Sequence, residues 1–330
     1  MTSLALDDYT IAWICALPLE AAAARAMLDR THPSPQGFSD PYAYEFGELN
    51  GHHIVIGHLP KGVYGTSSAT AVVSRMCLTF PRLRYGLMVG IGGGVPSKNK
   101  DIRLGDVVIS NPGVKHGGVV QYDYGKTIQD GRFVQTGILN QPPHALLSHL
   151  SRLDAELMTT GSTTMPNIVS GALERYPSMK ENFSPPEEHT DFLFDSSYHH
   201  IDKESDCAKC DKGQLVIRQP RERKAPYVHY GLIASGNQVM KDSRTRDRLA
   251  REYGILCFEM EAAGLMNELP TLVIRGICDY CDSHKQKQWQ GYAALTAAAF
   301  TKVLLSVLPV PVTTAERFRH GESRIRASLL

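Results

Sequence analysis

Residues Leu256 to His284, LCFEMEAAGLMNELPTLVIRGICDYCDSH, constrain the chain more than any other stretch. TLVIRGI (Thr271 to Ile277) is too continuously apolar for a surface strand, and its β-branched residues favour a strand buried on both faces. ILCFEM (Ile255 to Met260) has the same character, and AAGLMNEL after it reads as the start of a helix. Glu259 and Glu261 stand at the exit of the first strand. Asp279 stands just past the end of the second, where α/β sheets keep their ligand crevice. Carboxylates in such places must be paired, hydrated at a cleft or bound to something. Structural ion pairs, or acids aligned with a helix dipole, account for them as readily as a binding site does.

The rest of the composition excludes more than it selects. A length of 330 residues suffices for a substantial core, and a formal charge of +1 leaves no electrostatic footprint for nucleic acid or an anionic membrane. No run reaches the ~18 apolar residues that span a bilayer. Seven cysteines without regular spacing, and Asp7 and Asp8 where a secretory signal would carry basic residues, lead to the expectation of reduced thiols in the cytoplasm.

Taken in order, YTIAWICAL (Tyr9 to Leu17) reads as a buried strand, and Pro18 opens a helix that carries Glu20 in its first turn. An acid there is favoured by the helix dipole whatever else it does. Asn50-Gly51 marks a hairpin, and KGVYGTSSATAVVSRMCLTF a glycine turn feeding a helix. YGLMVGIGGGVP (Tyr85 to Pro96) is a strand ending in glycines. It is not a dinucleotide fingerprint, because Val95-Pro96 blocks a helix from starting. GVVQYDYGKT and DGRFVQTG read as a β-ribbon, and PPHALLSHLSRLDAEL as an amphipathic helix. From about 159 to 226 the chain turns polar, Pro-rich and irregular, as a long surface insertion does. Within it, Cys207 and Cys210 lie downstream of His199 and His200. Those four are zinc-ligand types, but no second C-x2-C or H-x3-H accompanies them, so no metal and no cofactor is assigned. Cys278 and Cys281 repeat the spacing around Asp279 as a coincidence. HYGLIASGNQVMKD is strand, glycine turn, helix. Trp289 to Leu308 is an Ala-rich closing helix, and 309–330 a terminal tail.

The sequence E-M-E-A, followed by V-I-R-G-I-C-D, resembles the signature of the nucleoside phosphorylase and methylthioadenosine/adenosylhomocysteine nucleosidase superfamily. The likeness runs over 9–308, interrupted by the insertion, and is strongest to nucleosidase-like domains of filamentous-fungal proteins, some joined to ankyrin or NACHT modules. It implies an α/β fold, a three-layer sandwich around a twisted mixed sheet, and a homodimer. It also implies roles. Asp279 would be the general acid toward the purine, with burial favouring its protonated form, and Glu20 would activate the attacking water. Glu261 would hold the ribose hydroxyls, with Met260 and Glu259 beside it. Gly92 and Gly93 would turn backbone amides toward the ribose, and Val239 and Met240 would form the base pocket. Tyr122 and Trp289 would stand near the 5′ end of the sugar. The family commonly has Ser where this chain has Cys278, which leaves an auxiliary hydrogen bond there in question.

The implied reaction is hydrolysis of the N-glycosidic bond of a purine ribonucleoside, with adenosine or inosine expected. A departing purine leaves an oxocarbenium-like ribose, so an acid on the base side and a base on the water side suit it. A phosphate-dependent phosphorylase and a catalytically silent nucleoside sensor are the alternatives. Purine phosphorylases of this superfamily carry R-V-G where this chain has Met88-Val89-Gly90, and an Arg where it has ALPLE and Glu20. Arginine's fork is the usual means of holding phosphate. Base release is therefore expected in phosphate-free buffer with free ribose as the sugar product. Activity that appears only on adding phosphate, with ribose 1-phosphate formed, would reverse that expectation.

Overall fold

Nearly continuous burial along three strands sets the middle of the sheet. The computed structural model describes residues 4–160, 164–200 and 207–310. In chain order its elements begin with β1 (Ile11–Cys15), α1 (Pro18–Met27), β2 (Arg30–His32), β3 (Tyr44–Leu49), β4 (His52–His58), α2 (Thr66–Thr79), β5 (Tyr85–Gly94) and β6 (Val107–Ser110). Next come β7 (Val119–Gln121), β8 (Gly125–Thr127), β9 (Phe133–Gln135), α3 (His144–Thr160), α4 (Thr164–Arg175) and α5 (Lys180–Phe183). The remainder comprises β10 (Val228–Ser235), α6 (Ser243–Tyr253), β11 (Ile255–Glu259), β12 (Thr271–Asp279) and α7 (Gln290–Val307).

The main sheet runs β11-β10-β6-β12-β5-β1-β4-β3-β2, with β7 added to β10, while β8 and β9 form a separate ribbon. It is mixed. β1 is parallel to β4 and β5, and β12 is parallel to β5 but antiparallel to β6. The hairpin of β3 and β4 turns at Asn50 and Gly51, both at positive φ (51° and 81°), as the Asn-Gly pair dictates. Alternate residues of the central strands face opposite layers. Ile11, Trp13, Leu87, Leu272 and Ile274 pack under α1, α3, α4 and α7, whereas Ala12, Ile14, Met88 and Val273 pack under α2. Helices thus cover both faces, and the three-layer α/β sandwich around a mixed sheet is the observed fold.

One feature exceeds that description. β5 is ten residues long: its first part pairs with β1, while Gly93 and Gly94 reach Phe258 and Cys257 of β11. Strands β5, β12, β6, β10 and β11 thereby close into a ring, which leaves none of them with a free edge there. The glycines read as the end of a strand are its continuation. None of Gly90, Gly92, Gly93 and Gly94 has a positive φ, so their use is close approach rather than a turn. The helix expected after β11 shortens to a 3-10 turn, Ala262–Gly264, pressed so closely on α2 that a Cβ at Gly264 would lie 2.1 Å from the Thr66 carbonyl oxygen.

The stretch read as an irregular insertion from about 159 begins instead with helix. Met165, Val169, Ala172 and Leu173 of α4, and Phe183 of α5, belong to the core under α7. The apolar spacing within α4 was outweighed by the surrounding polar composition. From Ser184 to Pro226 the described residues are loops and short 3-10 turns. Most of the tail, 311–330, lies outside the described residues, and among those described no helix is long and apolar enough to cross a membrane.

Packing of α7 on the sheet is tightest at Gly276, where a Cβ would lie 1.8 Å from the carbonyl oxygen of Ala293. Because backbone cannot yield as a flexible side chain can, Gly276→Ala should lower stability by at least the ~1–3 kcal/mol typical of overpacking. A urea melt checks this; an unchanged midpoint would mean that α7 does not bear on β12 as described.

Candidate active site

The ends of β5, β11 and β12 and the start of α1 surround a cavity of ≈ 290 Å³. Glu20, Glu259, Glu261, Arg275 and Asp279 all line it. With Lys285, also in the lining, four carboxylates and two cations meet there, an uncommon density of charge for a largely buried site.

Glu20 owes its place to Pro18, which starts α1 immediately after the buried strand. One carboxylate oxygen, Oε2, accepts from the backbone N–H groups of Ala16 (2.7 Å) and Leu17 (3.0 Å), and Oε1 accepts from that of Ile91 (2.9 Å). Three of about four acceptor sites are thus filled, which leaves Oε1 room for one further donor. Burial raises the pKa of Glu20 against the opposing pull of Arg275 and the three amides, so it is a stronger base than an ordinary carboxylate.

Arg275, central on β12, was read from the sequence only as part of an apolar strand. It is 1% exposed, and its partners come from separate elements. Its Nη2 donates to Glu259 and lies 3.4 Å from Oε2 of Glu261; Nη1 lies 3.9 Å from Oε1 of Glu20 and donates to the Ile91 carbonyl oxygen at 3.2 Å. Burial opposes its charge, but the three glutamates outweigh that and hold its pKa above the usual arginine value. The signal that could have found it was available: a charge inside a run buried on both faces must have partners. Glycine at 90 is required here, since a Cβ would lie 2.2 Å from Glu20 Oε1 and 2.8 Å from Arg275 Nη1.

Glu259 and Glu261 part ways despite their spacing. Glu259 accepts from the N–H groups of Glu261 (3.1 Å) and Ala262 (3.0 Å) as well as from Arg275, so its carboxylate is committed to holding the loop and the guanidinium. Glu261 has the longer contact to Arg275 and a hydrogen bond from the Gly65 backbone N–H. Burial, with Glu259 and Glu20 adding to it against Arg275, pushes its pKa up to about 7.

Asp279 is less enclosed than its strand suggests. Its side chain is 13% exposed and ion-paired with Lys285, while Oδ1 also accepts from the Cys281 N–H at 2.8 Å. The apolar burial expected around it is replaced by this cation, which no sequence argument had singled out. Burial works against the charge of Lys285, but Asp279 outweighs it and keeps the ammonium above its ordinary pKa. Cys278 stands 3.5 Å from Oδ2 through Sγ, so the position where the family commonly has Ser offers a weak donor. Gly92 and Gly93 line the cavity. A Cβ at Gly93 would strike Cys281 Sγ at 2.2 Å and Asp279 Oδ1 at 2.8 Å.

Met260, Met240 and the half-exposed Val239 line the cavity, and Phe258 and Tyr64 join them unforeseen. Two expected residues do not. Tyr122 packs edge-on against Phe258, with ring centroids 5.4 Å apart, and donates its hydroxyl to the Gln238 carbonyl oxygen, so it backs the lining instead of forming it. Trp289 sits in the turn before α7 and faces a separate cleft with Asp106, Arg221 and Tyr292. The turn places its ring at that cleft, beside Gly105 and Tyr292, instead of at the cavity.

Comparison with known proteins adds a family. Residues 10–308 match the family described as the phosphorylase superfamily. A nucleotide-binding leucine-rich repeat (NLR)-like protein of Hyaloscypha variabilis is 44% identical over 96% of this chain, which spans only 31% of that relative. A 5′-methylthioadenosine/S-adenosylhomocysteine nucleosidase of Mycobacterium bovis is 26% identical, over 91% of this chain and 97% of its own. Among solved structures, the nucleosidase of that name from Neisseria meningitidis in complex with methylthio-immucillin-A superposes with a TM-score of 0.57 at 16% identity, covering 91% of this chain and 99% of that one. The futalosine hydrolase of Helicobacter pylori does so with 0.57 at 16%, covering 90% and 97%. At such identities the solved structures share the fold.

The raised pKa values of Glu261 and Glu20 have a consequence for stability. The folded chain binds their protons more tightly than the unfolded chain, so their contribution is full below about pH 4.5 and is lost as pH rises through the folded values, about 7 for Glu261. Glu261→Gln cannot titrate. Its melting temperature relative to the parent should therefore improve between about pH 5 and about pH 8. Thermal unfolding across that range checks it; a constant difference would place Glu261 outside the linkage.

Proposed function

The chain belongs to the phosphorylase superfamily, and we propose that within it this protein hydrolyses the N-glycosidic bond of a purine ribonucleoside, adenosine or inosine, to base and ribose. The observation that carries this reading is that Glu20, Glu261 and Asp279, from two stretches far apart in the sequence, line one cavity.

In this reading Asp279 faces the purine. As the glycosidic bond lengthens, the ring nitrogens of the base gain basicity, and a proton drawn from the Lys285 ammonium passes to them through the paired carboxylate of Asp279. Lys285 holds that carboxyl in position. Glu20, with one acceptor site left and its basicity raised, takes a proton from water below the ribose. Glu261 accepts from the ribose hydroxyls, and Arg275 keeps both glutamates where they are needed. The nucleophile is assigned as water because of the partners of Arg275. The Arg275 guanidinium is already engaged by Glu259, Glu261 and the Ile91 carbonyl oxygen, so it offers no free fork to a phosphate. The relatives bearing the names nucleosidase and hydrolase are consistent with this.

The choice of adenosine or inosine has no support from Tyr122 or Trp289, which do not line the cavity. It draws on size: a cavity of ≈ 290 Å³ is at the small end of those that hold ligands, which favours a plain 5′-hydroxyl over an extended substituent. The NLR-like relative gives the second reading, a domain that binds a nucleoside for a larger protein without turnover.

A panel of nucleosides incubated with the purified chain decides between them, with released base and sugar identified. Adenosine or inosine should give a higher kcat/KM than methylthioadenosine, and the absence of base release would favour the sensor. Asp279→Asn should cost about 10²- to 10⁴-fold in kcat while leaving nucleoside binding largely intact. Glu20→Gln should lower kcat with little change in KM, and Glu261→Gln should impair both. Equal kinetic defects in these two glutamate variants would refute their separate roles.

A further inference from the structure

The loop segments between α5 and β10 present a second cluster of reactive side chains, away from the cavity. Among the described residues, His200, Cys207 and Cys210 bring their ligand atoms within 4.8 Å of one another. Both cysteines are buried and reduced, and with Phe194 they form a small apolar cluster of their own against Phe192, Tyr198 and Leu215. A second observation comes from the loop beyond Asp279. His284 is 3% exposed, and neither of its ring nitrogens has a hydrogen-bond partner. Asp282 Oδ1, 3.8 Å from Nδ1, is too far for a hydrogen bond, so the buried imidazole carries a desolvation cost that this long contact offsets only in part. Its ring centroid lies 5.3 Å from that of His200, and Phe194 stacks on it at 4.1 Å, so it adjoins that group of three.

We infer that His200, Cys207, Cys210 and His284 are the ligands of a structural zinc ion. Two thiolates and two neutral imidazoles are a ligand set that selects zinc in tetrahedral geometry and closes its coordination. They also neutralise its two charges, which suits a buried position. The supporting contacts fit. Nδ1 of His284 lies 3.8 Å from Asp282 Oδ1, so Nε2 is the nitrogen left for the ion, in the carboxylate–imidazole–metal order that orients such ligands. The His284 N–H donates to Asp282 Oδ1 at 2.8 Å, and the His200 N–H donates to Ser283 Oγ at 2.9 Å, so both histidine-bearing segments are fixed to one turn. His199, grouped with these residues on sequence, does not join them.

The need for an ion follows from the poverty of the local core. The described residues from Ser184 to Pro226 are loops and 3-10 turns, and a cluster of three buried side chains offsets little of the entropy of ordering them. A metal would supply that ordering and would fasten the insertion to the loop that carries Lys285.

The test begins with the whole chain, expressed with zinc supplied and freed of loose metal. Mass spectrometry of metal content should find close to one zinc per chain. Replacement by cobalt(II) should give the visible bands of tetrahedral coordination and a near-ultraviolet charge-transfer band of two thiolates. Cys207→Ser with Cys210→Ser should abolish both metal content and the bands. His284→Ala should weaken zinc binding by at least about tenfold in a chelator competition while the thiolate band persists. Less than about a tenth of a zinc per chain, which is far below a closed structural site, would overturn the proposal. So would a Cys207–Cys210 disulfide in the native protein, or an unchanged zinc affinity in His284→Ala. If the double cysteine variant fails to fold, the cobalt adduct of the unaltered chain still decides, because a count other than two thiolates refutes the assignment.

Discussion

The site depends on one buried guanidinium. Arg275 stands in the middle of the central strand, where a charge is tolerated only with partners that compensate it closely. Those partners arrive from α1, from the end of β11 and from the loop that follows it, and the Ile91 carbonyl oxygen adds β5. One side chain therefore fixes the relative positions of four segments. The same requirement explains the bare backbone at Gly90, since any side chain there would occupy the space in which Glu20 and Arg275 meet. An unpaired glutamate or an unpaired arginine at this depth would cost far more than the pair gains, so the arrangement is held together as a whole.

From that arrangement three chemically identical side chains acquire different tasks. Glu259 spends its oxygens on two amides and the guanidinium and has little left to offer a ligand. Glu20 is nearly saturated by amides yet keeps one acceptor site, which is what orients a single water molecule. Glu261, least satisfied and deeply buried, titrates near neutrality and is the one whose charge a ligand's hydroxyl groups would stabilise. The difference lies in hydrogen-bond supply rather than in residue type.

The insertion bears on the same site from outside. His284 and Lys285 are neighbours in sequence, yet one adjoins the histidine–cysteine cluster and the other pairs with Asp279. A zinc ion at the cluster would thus anchor the loop from which Lys285 reaches the candidate acid. Order in the insertion and order at the cavity then share a support, although none of the cluster residues lines the cavity.

Much of this was legible in the sequence because local chemistry decides it. The buried runs at Ile11–Cys15 and Thr271–Asp279 have too few polar residues to be anything but central strands, and Asn50-Gly51 can hardly be other than a hairpin turn. Proline after the first strand set the start of α1 and with it the position of Glu20. What tertiary structure decided were the pairings between segments distant in the chain. Arg275 looked like one residue of an apolar strand until Glu20, Glu259 and Glu261 surrounded it, and Lys285 gained meaning only beside Asp279. Trp289 and Tyr122 were misplaced because spacing gives distance along the chain, whereas the place that a ring occupies depends on turns and packing. Likewise α4 was hidden in polar composition until α7 supplied the surface for its apolar face. Sequence determines which backbone each segment prefers, since that depends on neighbours a few residues away. Only the folded chain determines which charges meet, since burial makes a distant partner the sole alternative to water.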